Sequence, residues 1–448
     1  MAGPCPFNQQ QRPDPDRDTS GGRHSSVTIR HSELVGINYL CAVLPIWPTA
    51  AKAVQSHWRE YELKVVMTGV PFFRPNISDE EIALVSSSLR SGWLTSGPRV
   101  AEFEESFASI VGAKHAIALN SCTAALHLAL LAHEIGEGDE VIVPTLTFAA
   151  TAEVVLAVGA TPVLVDCRAD TLAMDFDLAG EAITPKTRAV MPMHYGGTPA
   201  DMHAAMKIQE ENPQIAIIED AAHAFPAHHG LGSIGSIGDA TCFSFYANKT
   251  MTTGEGGMLT TNSVEVAERV RRLSLHGLSR DAWARFETRS SWDYDIVEAG
   301  WKYNMTDAAA SLGLGQLARA HEMAGQRREI ARKYDIAFAD IECVEPRSAG
   351  PLENNACHLY VVRIDPQLSK VTRSELIAML GDANIGTSVH YRPLHMHSFH
   401  SERFGFEASD FPVAQDQFDK ILSLPLFPGM TSDEVETVIE RIRRATNT

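Results

Sequence analysis

Ser244-Phe-Tyr-Ala-Asn-Lys249-Thr-Met-Thr-Thr-Gly254-Glu-Gly256-Gly257 sets one lysine between an apolar run, Thr241 to Phe245, and a glycine-rich turn. A lysine so placed is partly desolvated, which lowers its pKa and frees the amine for Schiff-base chemistry. The plain alternative for a lone lysine is a solvated surface charge. On either side of this stretch, short β-rich runs recur at Val141 to Val143, Pro162 to Val165, Ala189 to Met193, Ile215 to Ile218, Thr241 to Phe245 and Met258 to Thr261. Helix-length segments separate several of them, and strands alternating with helices predict a mostly parallel α/β sheet. Before the first run, Val100, Phe103, Phe107 and Ile110 repeat at helical spacing between Gly97-Pro98 and Gly112, which predicts an amphipathic helix.

Upstream of the lysine, Ile215-Ala-Ile-Ile-Glu219-Asp220-Ala-Ala222-His223 reads as a buried strand delivering a carboxylate at its C-terminal end. In open α/β sheets ligands gather at that end. A carboxylate there keeps a pyridinium nitrogen protonated, so that the ring acts as an electron sink, which is the partner pyridoxal phosphate requires. A helix N-cap is the other reading of Asp220. Asn120-Ser121-Cys122-Thr123 opens a helix after Ala116 to Leu119. Backbone N–H groups and small hydroxyls at a helix start suit a phosphate, although capping by Ser121 explains the same letters. Pro144-Thr-Leu-Thr-Phe148 closes a strand with an aromatic that either stacks on a planar ring or packs in the core.

Composition limits the rest. The 448 residues leave room for about three domains on a prior of ~150 residues each. With 38 Lys+Arg against 56 Asp+Glu the net charge is −18, a balance that repels phosphate polymers and argues against nucleic-acid binding. No apolar run of ~18 residues predicts a membrane span. Seven scattered cysteines (Cys5, Cys41, Cys122, Cys167, Cys242, Cys343 and Cys357) without CxxC spacing fit a reducing, cytoplasmic compartment and argue against structural zinc. Residues 1 to about 32 lack apolar periodicity and predict disorder. The apolar run Leu40 to Ile46 is short and cut by Pro45 and Pro48, and Met67 precedes the first well-patterned stretch. Residues 1–66 therefore read as a disordered or non-native extension, 67–310 as a large α/β domain, and 311–448 as a smaller α+β domain. The smaller domain is expected to hold a long helix through Gln316 to Tyr334, a strand at Leu359 to Ile364 and a last helix at Ser432 to Arg444.

Three further signals carry less. Gly230-Leu-Gly232-Ser-Ile-Gly235 fits GxGxxG, but a strand follows it where a dinucleotide site needs a helix, so it reads as a turn. His395, His397 and His400 match no zinc spacing, and no metal is expected. The run Glu268 to Arg272 reads as a solvated helix face.

In this order the lysine, aspartate, helix-start and aromatic elements resemble the DegT/DnrJ/EryC1/StrS family of pyridoxal-phosphate-dependent nucleotide-sugar aminotransferases, from about Pro75 to the C-terminus. Ser91-Gly-Trp-Leu-Thr-Ser-Gly-Pro98, Gly159-Ala-Thr-Pro-Val163, His194-Tyr-Gly-Gly197, Gly300-Trp-Lys-Tyr-Asn304-Met-Thr-Asp307 and Ser423-Leu-Pro-Leu-Phe-Pro428 add to the likeness. Within the family the chain is most similar to enzymes that aminate the C4 ketone of a UDP- or GDP-linked sugar, such as the UDP-4-amino-4-deoxy-arabinose and perosamine aminotransferases. The resemblance implies an aspartate-aminotransferase-like, fold type I large domain with a mostly parallel mixed sheet and a smaller C-terminal α+β domain.

It also implies that Lys249 carries the cofactor as a Schiff base and moves the proton, that Asp220 pairs with the pyridine nitrogen, and that His223 lies beside the ring hydroxyl. Phe148 would stack on the ring, Cys122, Thr123 and Ser244 would hold the phosphate, and Asn304 would reach the phosphate from the other subunit of a homodimer. Tyr303, His390 and Tyr391 fall where sugar-nucleotide contacts are expected, and L-glutamate with 2-oxoglutarate is the expected amino donor pair. Two positions depart from the family pattern: Cys122 stands where Gly or Ala is common and puts a thiol beside the cofactor, and Thr250 stands where Asn often follows the lysine. A related dehydratase branch has histidine in place of the lysine, so Lys249 points to transamination. A keto-cyclitol aminotransferase and a non-catalytic regulatory member of the fold are the rival readings.

Overall fold

The structure, a computed structural model, describes residues 69–279, 295–346 and 350–447, all within the unit Met67–Thr448. The expectations for residues 1–66 lie outside the described residues.

Local chemistry starts and stops the first helices. Helix α1 (Asp79–Ser91) opens on a capping box in which Ser78 and Glu81 each accept the other's backbone N–H, at 3.3 and 2.9 Å. Helix α2 (Pro98–Val111) has proline at its first position. Of its predicted stripe, Val100, Phe103 and Phe107 are buried, whereas Ile110 is 38% exposed and Val111, one position on, takes its place in the core.

The chain continues through β1 (His115–Leu119), α3 (Cys122–Ala132), β2 (Glu140–Pro144), α4 (Ala150–Ala157), β3 (Thr161–Val165), α5 (Phe176–Glu181), β4 (Thr187–Val190), α6 (Met202–Glu211) and β5 (Ala216–Asp220). A small hairpin, β6 (His228–His229) with β7 (Gly232–Ser233), follows, so the glycine-rich run Gly230 to Gly235 holds the hairpin's turn, Gly230-Leu231, and its second strand. Then come β8 (Ala240–Ser244), β9 (Gly257–Thr261) and α7 (Val264–Leu273). Helix α7 is less solvated than its charges predict, because Arg271 pairs with Glu104 at 2.8 Å and Arg272 with Glu298 at 2.6 Å.

Seven strands form one sheet in the order β1-β9-β8-β5-β4-β2-β3. β8, β5, β4, β2 and β3 pair in parallel, while β9 runs antiparallel between β1 and β8, giving the expected mostly parallel mixed sheet. Because β9 is reversed, its first residue, Gly257, lies opposite both Leu119 and Ser244, the last residues of β1 and β8. The ends of the parallel strands and the start of β9 therefore share one edge. β4 stops at Val190, short of the predicted Met193, since Pro192 has no N–H for a ladder; Met193 makes only an isolated bridge to Asp220.

Helix α8 (Asp307–Phe338) starts nine residues before the predicted Gln316 and is capped by Thr306. It leads to β10 (Val344–Glu345), β11 (Tyr360–Ile364), α9 (Arg373–Asp382), α10 (Ser398–Phe404), α11 (Pro412–Phe418), β12 (Ile421–Leu424) and α12 (Ser432–Asn447). β10, β11 and β12 make a second, antiparallel sheet. Helix α8 belongs to two cores: Ala310, Leu317, Ala320 and Met323 pack with the large sheet, while Ile330, Ala331, Tyr334 and Phe338 pack with the small one.

Candidate active site

A cavity of about 420 Å³ lies where β1, β2, β5 and β8 end, a size suited to a cofactor or small ligand. Three of its walls come from different parts of the chain.

The first wall is the start of α3. Ser121 is extended and caps the helix by accepting the Ala124 N–H at 3.0 Å. The N–H groups of Cys122 and Thr123 have no acceptor within the helix, and both residues line the cavity. With the positive end of the helix dipole behind them, they form a seat for an anion. Gly257 presses directly against this turn: a Cβ there would fall 2.4 Å from the Ser121 carbonyl carbon and 2.5 Å from the Cys122 nitrogen. The thiol of Cys122 turns back to the sheet and donates to the Cys242 carbonyl at 3.4 Å; burial holds it protonated, well above the ordinary thiol range. Position 122 thus presents its backbone to the cavity while its sulfur stays a neutral donor. Ser244 lines the cavity beside this wall.

The second wall carries Asp220 and Lys249. Asp220, 3% exposed, accepts from the Thr151 hydroxyl at 2.8 Å and from the Ala222 N–H at 3.1 Å. Burial pushes its pKa up, and those donors and the Lys249 charge oppose the rise. No described helix begins after it, so the N-cap reading does not apply. The Lys249 side chain is half-buried and lines the cavity, and its amine has no hydrogen-bond partner among the described residues. Desolvation lowers its pKa to about 8, against the pull of the Asp220 charge. This is no solvated surface lysine.

The third wall comes from His223, His358, His390 and Tyr391. Gly196 N–H donates to His223 Nδ1 at 3.3 Å, and His223 Nε2 lies 2.9 Å from the Tyr391 hydroxyl. His390 pairs through Nδ1 with the Ser423 hydroxyl at 2.8 Å, and burial and the Lys249 charge push its pKa down to about 4. Phe148 is 55% exposed at the mouth, 5.7 Å from the Tyr391 ring, and so is not an ordinary core residue.

The structure therefore brings together Cys122, Thr123, Phe148, Asp220, His223, Ser244, Lys249, His390 and Tyr391. Tyr303 and Asn304 do not line the cavity of their own chain. The Tyr303 ring packs on Trp301 and His127, and Asn304 donates to the Ser96 hydroxyl at 2.7 Å and accepts from Lys302. Sequence reasoning missed Thr151, His358, Tyr246 and Asn248. Only Thr151 left a trace, as a hydroxyl in an otherwise apolar helix start. Among the described residues no three His, Cys, Asp or Glu side chains gather as for a metal, and His395 is occupied by the Thr145 hydroxyl at 2.8 Å. No described helix is long and apolar enough to cross a membrane.

An unpaired amine, a buried carboxylate and an anion seat around one cavity fit pyridoxal phosphate, and the Oδ1 of Asn248, buried and unpartnered in the cavity wall, leaves a further contact open. Known proteins agree. The sequence pattern of the DegT/DnrJ/EryC1/StrS aminotransferase family matches residues 75–443. Spore coat polysaccharide biosynthesis protein SpsC of Bacillus subtilis is 48% identical over 84% of this chain and 96% of its own length. UDP-4-amino-4-deoxy-L-arabinose–oxoglutarate aminotransferase of Shewanella sediminis is 40% identical over 83% of this chain and 97% of its own. Among solved structures, the pyridoxal-phosphate form of the putative sugar aminotransferase Spr1654 of Streptococcus pneumoniae superposes with a TM-score of 0.78 at 35% identity, covering 85% of this chain and 99% of that one. The chain belongs to the DegT/DnrJ/EryC1/StrS aminotransferase family and is a pyridoxal-phosphate-dependent aminotransferase of fold type I.

Proposed function

We propose that the enzyme moves an amino group from L-glutamate to the C4 ketone of a UDP- or GDP-linked sugar, giving a 4-amino sugar for a cell-surface polysaccharide or related glycan. The observation that carries the reading is the Lys249 amine, unpartnered in a cavity that it shares with Asp220. The names of the B. subtilis and S. sediminis relatives support the sugar class, the C4 amine and the oxoglutarate product.

Bound pyridoxal phosphate supplies an electron sink for the bonds around the amino carbon. The start of α3 and Ser244 grip its phosphate, and Phe148 packs on its ring. Asp220 keeps a proton on the pyridine nitrogen, and Thr151 keeps Asp220 in line for that bond. With that cofactor bound, Lys249 would be the residue that holds it and its amine, once free, the base that would take the proton from the donor's Cα and return one on the sugar side. His390 and Tyr391 contact the sugar nucleotide, and Tyr303, which lies outside its own cavity, does so from a second copy. Asn304, lying outside its own cavity, serves the phosphate of a second copy in a homodimer, and the enzyme works in the cytoplasm.

The test is the visible spectrum of the purified protein with pyridoxal phosphate, before and after L-glutamate. A yellow band that bleaches with glutamate and is missing in Lys249→Ala is expected. A colourless wild type overturns the reading, and calorimetry that finds no binding of UDP or GDP overturns the nucleotide-sugar assignment.

A further inference from the structure

We propose that Thr250 is a positioning residue for Lys249: its hydroxyl ties the turn that carries the lysine to the segment that carries Asp220, and so fixes the reach of the amine. The inference rests on the reading of Lys249 as the base.

The turn has few other ties. β8 ends at Ser244, and the carbonyl of the next residue, Phe245, accepts from the Thr252 hydroxyl at 3.1 Å and from the Thr253 N–H at 2.9 Å. The Thr252 N–H in turn donates to the Gln316 side chain at 3.2 Å. Between those anchors the Lys249 N–H donates to the Tyr246 carbonyl at 2.9 Å, a bond inside the turn. From Asn248 to Met251 the Thr250 hydroxyl makes the one hydrogen bond, among the described residues, that leaves the turn: it donates to the Phe225 carbonyl. Met251 is buried beside it, but apolar packing has no direction and tolerates sliding.

The acceptor does not move. Phe225 is buried and packs on the rings of Phe107 at 4.7 Å and Phe243 at 6.0 Å. Its carbonyl closes the segment that starts at Asp220, whose other end is held where the Ala221 N–H donates to the Cys242 carbonyl at 2.9 Å. Thr250 is itself buried, and its branched side chain has few rotamers, so the hydroxyl stays on that carbonyl.

Reach matters because the pyridine nitrogen and the aldehyde-bearing carbon of pyridoxal phosphate lie at opposite ends of one rigid ring. Asp220 works at one end and Lys249 at the other. Thr151 and the Ala222 N–H hold Asp220, so slack in the lysine's turn displaces the amine from the donor's Cα proton, and a misplacement of about 1 Å costs on the order of 100-fold in rate. The departure from the family pattern at position 250 thus has a task.

Thr250→Val keeps the shape and removes the donor, whereas Thr250→Ser keeps the donor. Both are loaded with pyridoxal phosphate to matched content and compared with wild type by circular dichroism of the visible band before any amino donor is added, then by the rate at which saturating L-glutamate bleaches that band. Thr250→Val should show weaker dichroism per bound cofactor and bleach about tenfold or more slowly, with the half-saturating glutamate concentration within about twofold of wild type. Glutamate deuterated at Cα should slow it by at least the factor seen in wild type. Thr250→Ser should return both readings close to wild type. If Thr250→Val does not fold, Thr250→Ala, which admits water to the Phe225 carbonyl, is expected to give the same pattern. A Thr250→Val protein that melts at lower temperature yet keeps wild-type dichroism and bleaching overturns the proposal and leaves the hydroxyl a purely structural group. An isotope effect smaller than that of wild type also overturns it, because the slowed step then lies elsewhere. A yellow Lys249→Ala protein would instead overturn the reading of the lysine, so the two failures are told apart, and the dichroism needs no donor and is untouched by an error in the proposed one.

Discussion

At the scale of single residues, the site consists of ordinary groups made reactive by burial. Lys249 loses its proton with a pKa of about 8 instead of 10.5, because the protein around it penalises the charged form. The rate at which the apo-enzyme captures pyridoxal phosphate should therefore rise with pH around a midpoint of about 8; a midpoint of 10 or above would mean an amine open to water. Asp220 has the converse problem, since burial raises its pKa while its role needs the anion. Thr151→Val removes a donor that favours the anion, so the acid limb of the turnover profile should move to higher pH and recover in Thr151→Ser. Lys249 and Asp220 are legible in the sequence as cavity residues because they stand beside strand ends, whereas Phe148 reads equally well as core until its exposure at the cavity mouth is seen. Thr151 was not legible, because its meaning comes from a bond to a residue 69 positions away. His358 is similarly silent, as a histidine ahead of a strand carries no sign that its ring will meet another histidine.

At the scale of elements, the anion seat depends on how closely β9 approaches α3. Gly257→Ala would drive a methyl into the Ser121–Cys122 peptide, and the start of α3 must move. The variant should lose about 1–3 kcal/mol of stability, read by thermal unfolding, and bind pyridoxal phosphate measurably more weakly. Equal cofactor affinity would mean that the phosphate sits elsewhere. The central strands were readable to within a few residues, since buried parallel strands are short apolar runs between breakers. β1 was not among the strands expected, because its five residues, His115–Leu119, run without a break into the next helix signal. The start of α8 was hidden by glycines, which ordinarily argue against a helix. Here Gly313 is what lets the helix lie against α2, since a Cβ would meet the Phe103 ring at 2.8 Å.

At the scale of the whole molecule, α8 ties the core of the large sheet to that of the small one. Tyr334 is fully buried in the second core, where it donates to the Pro425 carbonyl at 3.1 Å and packs on Phe338 and Tyr360. Tyr334→Ala should cost about 3–5 kcal/mol in urea unfolding. The cofactor band and the far-ultraviolet circular dichroism should be lost together; separate transitions would mean that the two cores unfold independently. The order of the strands also has a consequence for biosynthesis. A chain leaves the ribosome N-terminus first, yet β1 finds its sheet partner only in β9, the last strand of that sheet to be made. The turn after β1 emerges long before Gly257 can brace it, and Lys249 appears just ahead of that glycine. Lysine and brace thus arrive almost together, a little past the middle of the chain and well after the turn. Pyridoxal phosphate is on this account a ligand of the completed sheet and not a template for it, and its abundance in the cell acts on the enzyme by stabilising molecules that have already folded.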